Sequence, residues 1–148
     1  MSNTEAPSFA TTLHVRDTCL CLHLQRAARA LARRFDAAFR PLGLTSGQFS
    51  LLMSLNRPEP ATIGGVASLL AMDRTTLTAN LKPLERRVLL TVTPDPSDRR
   101  GRHLRLTPQG RAVLENALPV WEATHAAIEH RLPRASAAKL RDDLRALA

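Results

Sequence analysis

Thr75, Thr76 and Thr78 stand between Arg74 and Lys82 in the stretch Asp73-Arg74-Thr75-Thr76-Leu77-Thr78-Ala79-Asn80-Leu81-Lys82. A little downstream, Arg99, Arg100, Arg102 and Arg105 crowd around Gly101, between two short apolar alternations. Short hydroxyl side chains can approach base edges closely, and their methyls can meet thymine methyls. Guanidinium groups suit phosphate oxygens and guanine. The two stretches together carry the chemistry of holding a nucleic-acid backbone and reading bases beside it. Arg74 and Lys82 would flank the backbone or reach guanine. Asp98 repels phosphate and is expected to orient a neighbouring arginine. Arg105 also fits the plain role of a charged sheet edge.

Composition agrees with a polyanionic partner. The 148 residues carry 21 Lys and Arg against 13 Asp and Glu, a formal charge of +8. That balance points to a polyanionic partner rather than merely a soluble basic surface. The length fits one domain with a real core. With 3% aromatic residues and no Tyr, that core must be mostly Leu, Ala and Val. No apolar run reaches the roughly 18 residues of a membrane span, and the start Met1-Ser2-Asn3-Thr4-Glu5 shows no export signal. Two cysteines two positions apart make no disulfide framework, so a reducing cytoplasm is expected. Enzyme chemistry finds no support: there is no nucleophile motif, phosphate loop or His-Glu zinc signature.

The elements that must position these residues follow from periodicity. Residues 1–16 read as a loose arm. Asp17 or Thr18 is placed to cap a first helix with Leu20, Leu24, Ala27, Leu31, Phe35 and Ala38 at steps of three and four, stopped by Pro41 and Gly43. Arg26, Arg29, Arg33 and Arg40 fall on or near its other face. Thr45 and Gln48 form a capping box opening a second helix from Ser46 to Asn56. Thr62 caps a short third helix. Asp73 caps a fourth, whose buried stripe is Leu77, Leu81, Leu84 and Val88, and Pro83 should bend it. Leu89–Thr93 and Arg102–Leu106 read as strands with Pro94–Gly101 as their loop. Thr107-Pro108 then opens a long helix to about Arg131, and a last helix carries Leu140, Leu144 and Leu147. A short helix, a turn at Ala71-Met72, a second helix and a hairpin is the layout of a winged helix-turn-helix. The fold class is therefore mainly α with a small β-hairpin wing. Residues 45–107 form the DNA-binding region, and 17–44 with 108–148 form a separate helical region.

The chain resembles the MarR family of bacterial transcriptional regulators. The likeness rests on Leu44-Thr45-Ser46-Gly47-Gln48-Phe49, Asp73-Arg74-Thr75-Thr76-Leu77-Thr78, Leu84-Glu85-Arg86-Arg87-Val88-Leu89-Leu90, Asp95-Pro96-Ser97-Asp98-Arg99-Arg100 and Leu104-Arg105-Leu106-Thr107-Pro108-Gln109-Gly110. It runs from about Leu20 to Leu147. It implies a homodimer joined through the first and last helices, which form a dimerisation domain, with two recognition helices on one face. It further implies binding to a pseudo-palindromic double-stranded DNA operator, most often as a repressor, and release by a small organic effector or an oxidant. Its DNA-binding residues here are Arg74, Thr75, Thr76, Thr78, Lys82, Arg99, Arg100 and Arg102. Val88 stands where the family carries Gly. A β-branched residue strains a left-handed turn, so a departure at the helix-to-strand junction is expected.

Cys19, Cys21 and His23 are the one constellation suited to sensing. With Asp17 as the cap, Cys19 would sit in the first helical turn near Arg16, a setting that favours thiolate. Cys21 matches roughly the reactive thiol of a hydroperoxide-sensing branch of the family, although the tyrosines of that branch are missing. Small apolar packing at a dimer seam is the plainer role. The two cysteines would lie about 200° apart on one helix and so would not bond within it. Cys19 and His23 could offer two metal ligands, but no others are evident, and His14, His103, His125 and His130 add no metal spacing. No metal or cofactor is expected. The alternatives to an effector-released regulator are a thiol-based redox sensor using Cys19 and Cys21, and a basic nucleic-acid-binding module without sequence preference.

Overall fold

The computed structural model describes residues 6–148. In order they form α1 (Phe9–Thr18), α2 (Leu20–Phe39), a 3-10 turn (Arg40–Leu42), α3 (Ser46–Ser54), β1 (Ala61–Thr62), α4 (Ile63–Leu69), α5 (Arg74–Arg86), β2 (Leu90–Asp95), β3 (Asp98–Leu106), α6 (Pro108–Glu129) and α7 (Ser136–Arg145). No helix among the described residues is long and apolar enough to cross a membrane.

The chain start departs from the loose arm expected over 1–16. Residues 1–5 lie outside the described part, but Phe9–Thr18 is helical. Ser8 caps it, its Oγ accepting from the Thr11 N–H at 3.2 Å. This helix buries none of its residues, so it has no apolar stripe for a periodicity argument to find. The next cap also differs. Cys19, extended at φ −68° and ψ 109°, breaks α1 from α2, and its Sγ accepts from the Leu22 N–H at 3.4 Å. Asp17 is engaged by Arg16, and the Thr18 hydroxyl donates to the His14 carbonyl at 2.7 Å.

From α2 onward the helices follow the apolar spacing closely. The Thr45–Gln48 capping box is present in both directions, at 3.2 and 3.1 Å. Asp36 reaches across from α2 and accepts from the Ser46 N–H at 2.7 Å, tying α2 to the entry of α3. Phe39, Leu51, Leu52, Leu77, Leu84, Leu90 and Leu104 are fully buried and fuse α2, α3, α5 and the sheet into one core. An aromatic file runs Phe35, Phe39, Phe49, Trp121, His125 with ring centroids 5.8, 4.8, 6.5 and 4.7 Å apart, which joins α6 to α2 and α3. Pro83 and Pro119 lie inside helices that continue through them.

Three helix ends share one device. The chain turns left-handed at Gly43 (φ 68°), Ala71 (φ 50°) and Val88 (φ 59°). At each, two backbone N–H groups reach back to the last carbonyls of the preceding helix, as in Leu89 N to Leu84 O at 3.0 Å and Val88 N to Glu85 O at 2.9 Å. The expected departure at Val88 does not occur. Valine takes the strained turn a glycine would take freely, held by the Schellman bonds and by the Thr107 hydroxyl, which donates to the Val88 carbonyl at 2.6 Å.

The sheet is antiparallel in the order β1-β3-β2. β1 pairs Ala61 with Leu104 and Thr62 with His103, two residues too few to show in the sequence. The expected Pro94–Gly101 loop is instead mostly strand: pairing runs out to Asp95 opposite Asp98, and Pro96-Ser97 alone make the turn. Asp95 Oδ1 closes it, accepting from the Ser97 N–H at 2.9 Å and hydroxyl at 2.8 Å. Behind the wing, a Cβ at Gly110 would lie 2.0 Å from the Leu89 carbonyl oxygen, so only glycine allows α6 to start against the β2 entry.

Candidate nucleic-acid interface

α4 and α5 are set by their caps. Thr62 Oγ1 accepts from the Gly65 N–H at 3.0 Å, and Asp73 Oδ1 from the Thr76 N–H at 2.8 Å. Between them Ala71 turns the chain, with Met72 N bonded to Ala67 O at 2.8 Å. α5 then buries Leu77, Leu81 and Leu84, which fixes its rotation. Arg74, Thr75, Thr76, Thr78, Ala79 and Lys82 are all exposed on its other side.

The threonines are not equivalent. The Thr76 hydroxyl donates to Asp73 Oδ2 at 2.8 Å, completing the cap. These bonds from the Thr76 backbone N–H and hydroxyl hold the Asp73 carboxyl below its usual range. The Thr78 hydroxyl donates to the Arg74 carbonyl one turn back at 2.8 Å. Among the described residues, the Thr75 hydroxyl has no such partner, so it alone keeps its proton for an incoming group.

The wing carries Arg99, Arg100 and Arg102, all exposed and with no carboxylate ion pair among the described residues. Arg102 Nη1 donates to the Gly101 carbonyl at 2.9 Å, which folds that side chain along the strand. Asp98 pairs with no arginine side chain among the described residues; its Oδ1 instead accepts from the Arg100 backbone N–H at 3.0 Å, within the wing. Asp95 is held below its usual range chiefly by the Ser97 N–H and hydroxyl, with His103 at 3.3 Å adding to the effect. Arg105 is exposed on β3 opposite Thr91, but β3 is the central strand, so Arg105 does not sit on an edge strand as the sequence suggested.

Helix and wing face a shared cleft of about 600 Å³. Arg74, Thr78 and Lys82 line one side of it and Arg100 and Arg102 the other, with Glu85, Asp95 and Asp98 toward its walls. Thr75 lies on the outer face of α5, with Arg74, Thr78, Ala79 and Lys82. Arg99 lies outside both groups.

Cys19, Cys21 and His23 do not converge. Cys19 caps α2, Cys21 is exposed with Gln25 Nε2 donating to its Sγ at 3.4 Å, and His23 Nδ1 lies 2.7 Å from the Cys19 carbonyl. Cys19 stands outside the helix, so the two cysteines do not share one helix as expected. Two features had no signal in the sequence, since each joins distant segments. Arg87 Nη1 donates to the Gly43 carbonyl at 2.7 Å, pinning the end of α5 to the α2–α3 corner. Phe49, Met53, Leu69, Leu118 and Trp121 line an apolar hollow of about 360 Å³ between α3 and α6.

The MarR family model matches residues 44–101, which include α3, α4, α5 and most of the wing. The structure of the transcriptional regulator MosR of M. tuberculosis in complex with DNA is 35% identical, with a TM-score of 0.79, and the match covers 87% of this chain and 92% of that one. The chain belongs to the MarR family. The structure of Bordetella bronchiseptica BpsR, whose DNA binding is regulated by 6-hydroxynicotinic acid, is 28% identical over 88% of this chain and 93% of that one, with a TM-score of 0.78. The transcriptional activatory protein BadR of Rhodopseudomonas palustris is 34% identical over 99 residues, 65% of this chain and 57% of BadR. The chain spans about half the length of such curated relatives.

Proposed function

We propose that this protein is a homodimeric transcriptional regulator that binds a pseudo-palindromic DNA operator, acts as a repressor, and is released by a small organic effector. One observation carries the reading. Arg74, Thr78 and Lys82 of α5 and Arg100 and Arg102 of the wing line one cleft, four cations against Glu85, Asp95 and Asp98, and Thr75 lies on the adjoining exposed face of α5. In this reading α5 enters the major groove, where Thr75 reads a base edge and Arg74 and Lys82 hold the strand beside it. Thr76 and Thr78 offer methyls and lone pairs, their hydroxyl protons being engaged. Arg99, Arg100 and Arg102 hold phosphates flanking the α5 contact. Residues 17–44 and 108–148 serve as the dimerisation region and 45–107 as the DNA-binding region.

The apolar hollow against Phe49 and Trp121 suits a flat, weakly polar effector. It lies between α3 of the DNA-binding region and α6 of the dimerisation region, so a ligand there would alter the spacing of the two heads.

The test is selection of duplexes from a random pool, followed by affinity measurements at physiological salt. A regulator binds its enriched duplex at least about 10³-fold tighter than a scrambled one. Equal affinity for both would instead mark a basic module without sequence preference.

A further inference from the structure

Gly64 occupies the second position of α4, in ordinary helical conformation rather than a left-handed one. Nothing in its backbone calls for glycine, and alanine is the better helix former there. The reason for the missing side chain lies across the helix-turn-helix. A Cβ at position 64 would stand 3.0 Å from Arg74 Nη2 and 3.8 Å from its Cζ. The guanidinium of Arg74 thus rests over the bare backbone of α4, and both residues line the cleft shared with Lys82, Arg100 and Arg102. No carboxylate pairs with Arg74 among the described residues, so no ion pair sets its direction. A long cation with no fixed partner loses side-chain entropy whenever it is ordered on a phosphate. The bare backbone at Gly64 leaves one position beside the cleft free for the guanidinium, and a side chain there would take that position away.

We propose that Gly64 is a positioning residue for duplex binding: by omitting a side chain it keeps open the seat from which Arg74 is aimed at a phosphate in the cleft between α4, α5 and the wing. The inference rests on the DNA-binding reading above. It makes an unusual demand, since a substitution that suits the helix should harm its function.

The experiment measures thermal stability and affinity for a duplex enriched by the wild-type protein from a random pool. Gly64→Ala requires Arg74 to retreat by a few tenths of an ångström, and Gly64→Leu takes its place outright. Gly64→Ala should keep or raise the Tm while losing about threefold in affinity, and Gly64→Leu should lose about tenfold. In an Arg74→Ala background neither substitution should cause a further loss, because the group it displaces is gone. Gly47→Ala is the control. A Cβ there meets nothing closer than Thr45 Oγ1 at 4.0 Å, so it should stabilise α3 without changing affinity. Wild-type affinity in both Gly64 variants, or an equal loss with and without Arg74, overturns the proposal. Failure of the wild type to enrich any duplex would overturn the DNA-binding reading itself, and this inference with it.

Discussion

At the scale of single residues, three acceptors and a few cations organise the interface. Arg100 has no carboxylate partner among the described residues, and only its backbone N–H is held, by Asp98. Arg100→Ala should therefore weaken binding to all duplexes alike and lower the slope of log affinity against log salt by about 1. An unchanged slope would exclude a phosphate contact. Asp73 makes a different prediction. Its carboxyl is held below the usual range by the Thr76 N–H and hydroxyl. A carboxyl depressed in the folded state contributes its full stability above its unfolded value of about 3.9 and loses it as pH falls through the folded value. Asp73→Asn keeps an acceptor that does not titrate. The wild-type advantage in Tm over Asp73→Asn should be present at neutral pH and fade in acid. A difference independent of pH would show that the cap does not depend on the charge.

Among the elements, the left-handed helix ends decide how helices and wing meet. Val88 is the costly one, because a β-branched residue at φ 59° is strained by about 1 kcal/mol or more. Val88, expected in the buried stripe of α5, lies past the helix end and is exposed, so its side chain adds little packing in return. Val88→Gly should raise the Tm by a few degrees. A fall would mean that the valine makes contacts worth more than its strain. The same scale shows what was legible in the sequence. α3 to α6 could be read because their apolar residues fall at helical spacing and their caps, Thr45, Thr62, Asp73 and Thr107, are short hydroxyl or carboxyl side chains at the right distance, whereas α2 and α7 were legible from spacing alone and the cap of α2 was misplaced. α1 could not, since nothing in it is buried. The wing was read too short because Pro94 and Gly101 look like loop residues. In the fold Pro94 occupies a strand position beside a bulge, and Gly101 sits within β3 close to Asp95 and Asp98. Of the interface, residue types and their exposed face were readable. The engagement of Thr76 and Thr78 in local bonds, the resting place of Arg74 and the Arg87–Gly43 tether were not, because each depends on rotamers or on contacts between distant segments.

For the whole molecule, the described chain leaves apolar side chains in water at both ends. Leu20, Leu24 and Leu31 are exposed on α2, and Leu140, Leu144 and Leu147 at the C-terminal helix. Apolar surface of this extent calls for a covering partner, and a second copy of the chain supplies one in the proposed dimer. A two-fold axis through these helices would place two α5 helices and two wings on one side of the assembly. The central claim is that this paired surface reads a duplex. Its most direct test is a hydroxyl-radical footprint of the wild-type protein on an enriched duplex. Two protected half-sites related by two-fold symmetry are expected, centred about one helical turn apart, roughly 10 base pairs. A single unsymmetrical patch, or protection spread evenly along the duplex, would contradict it.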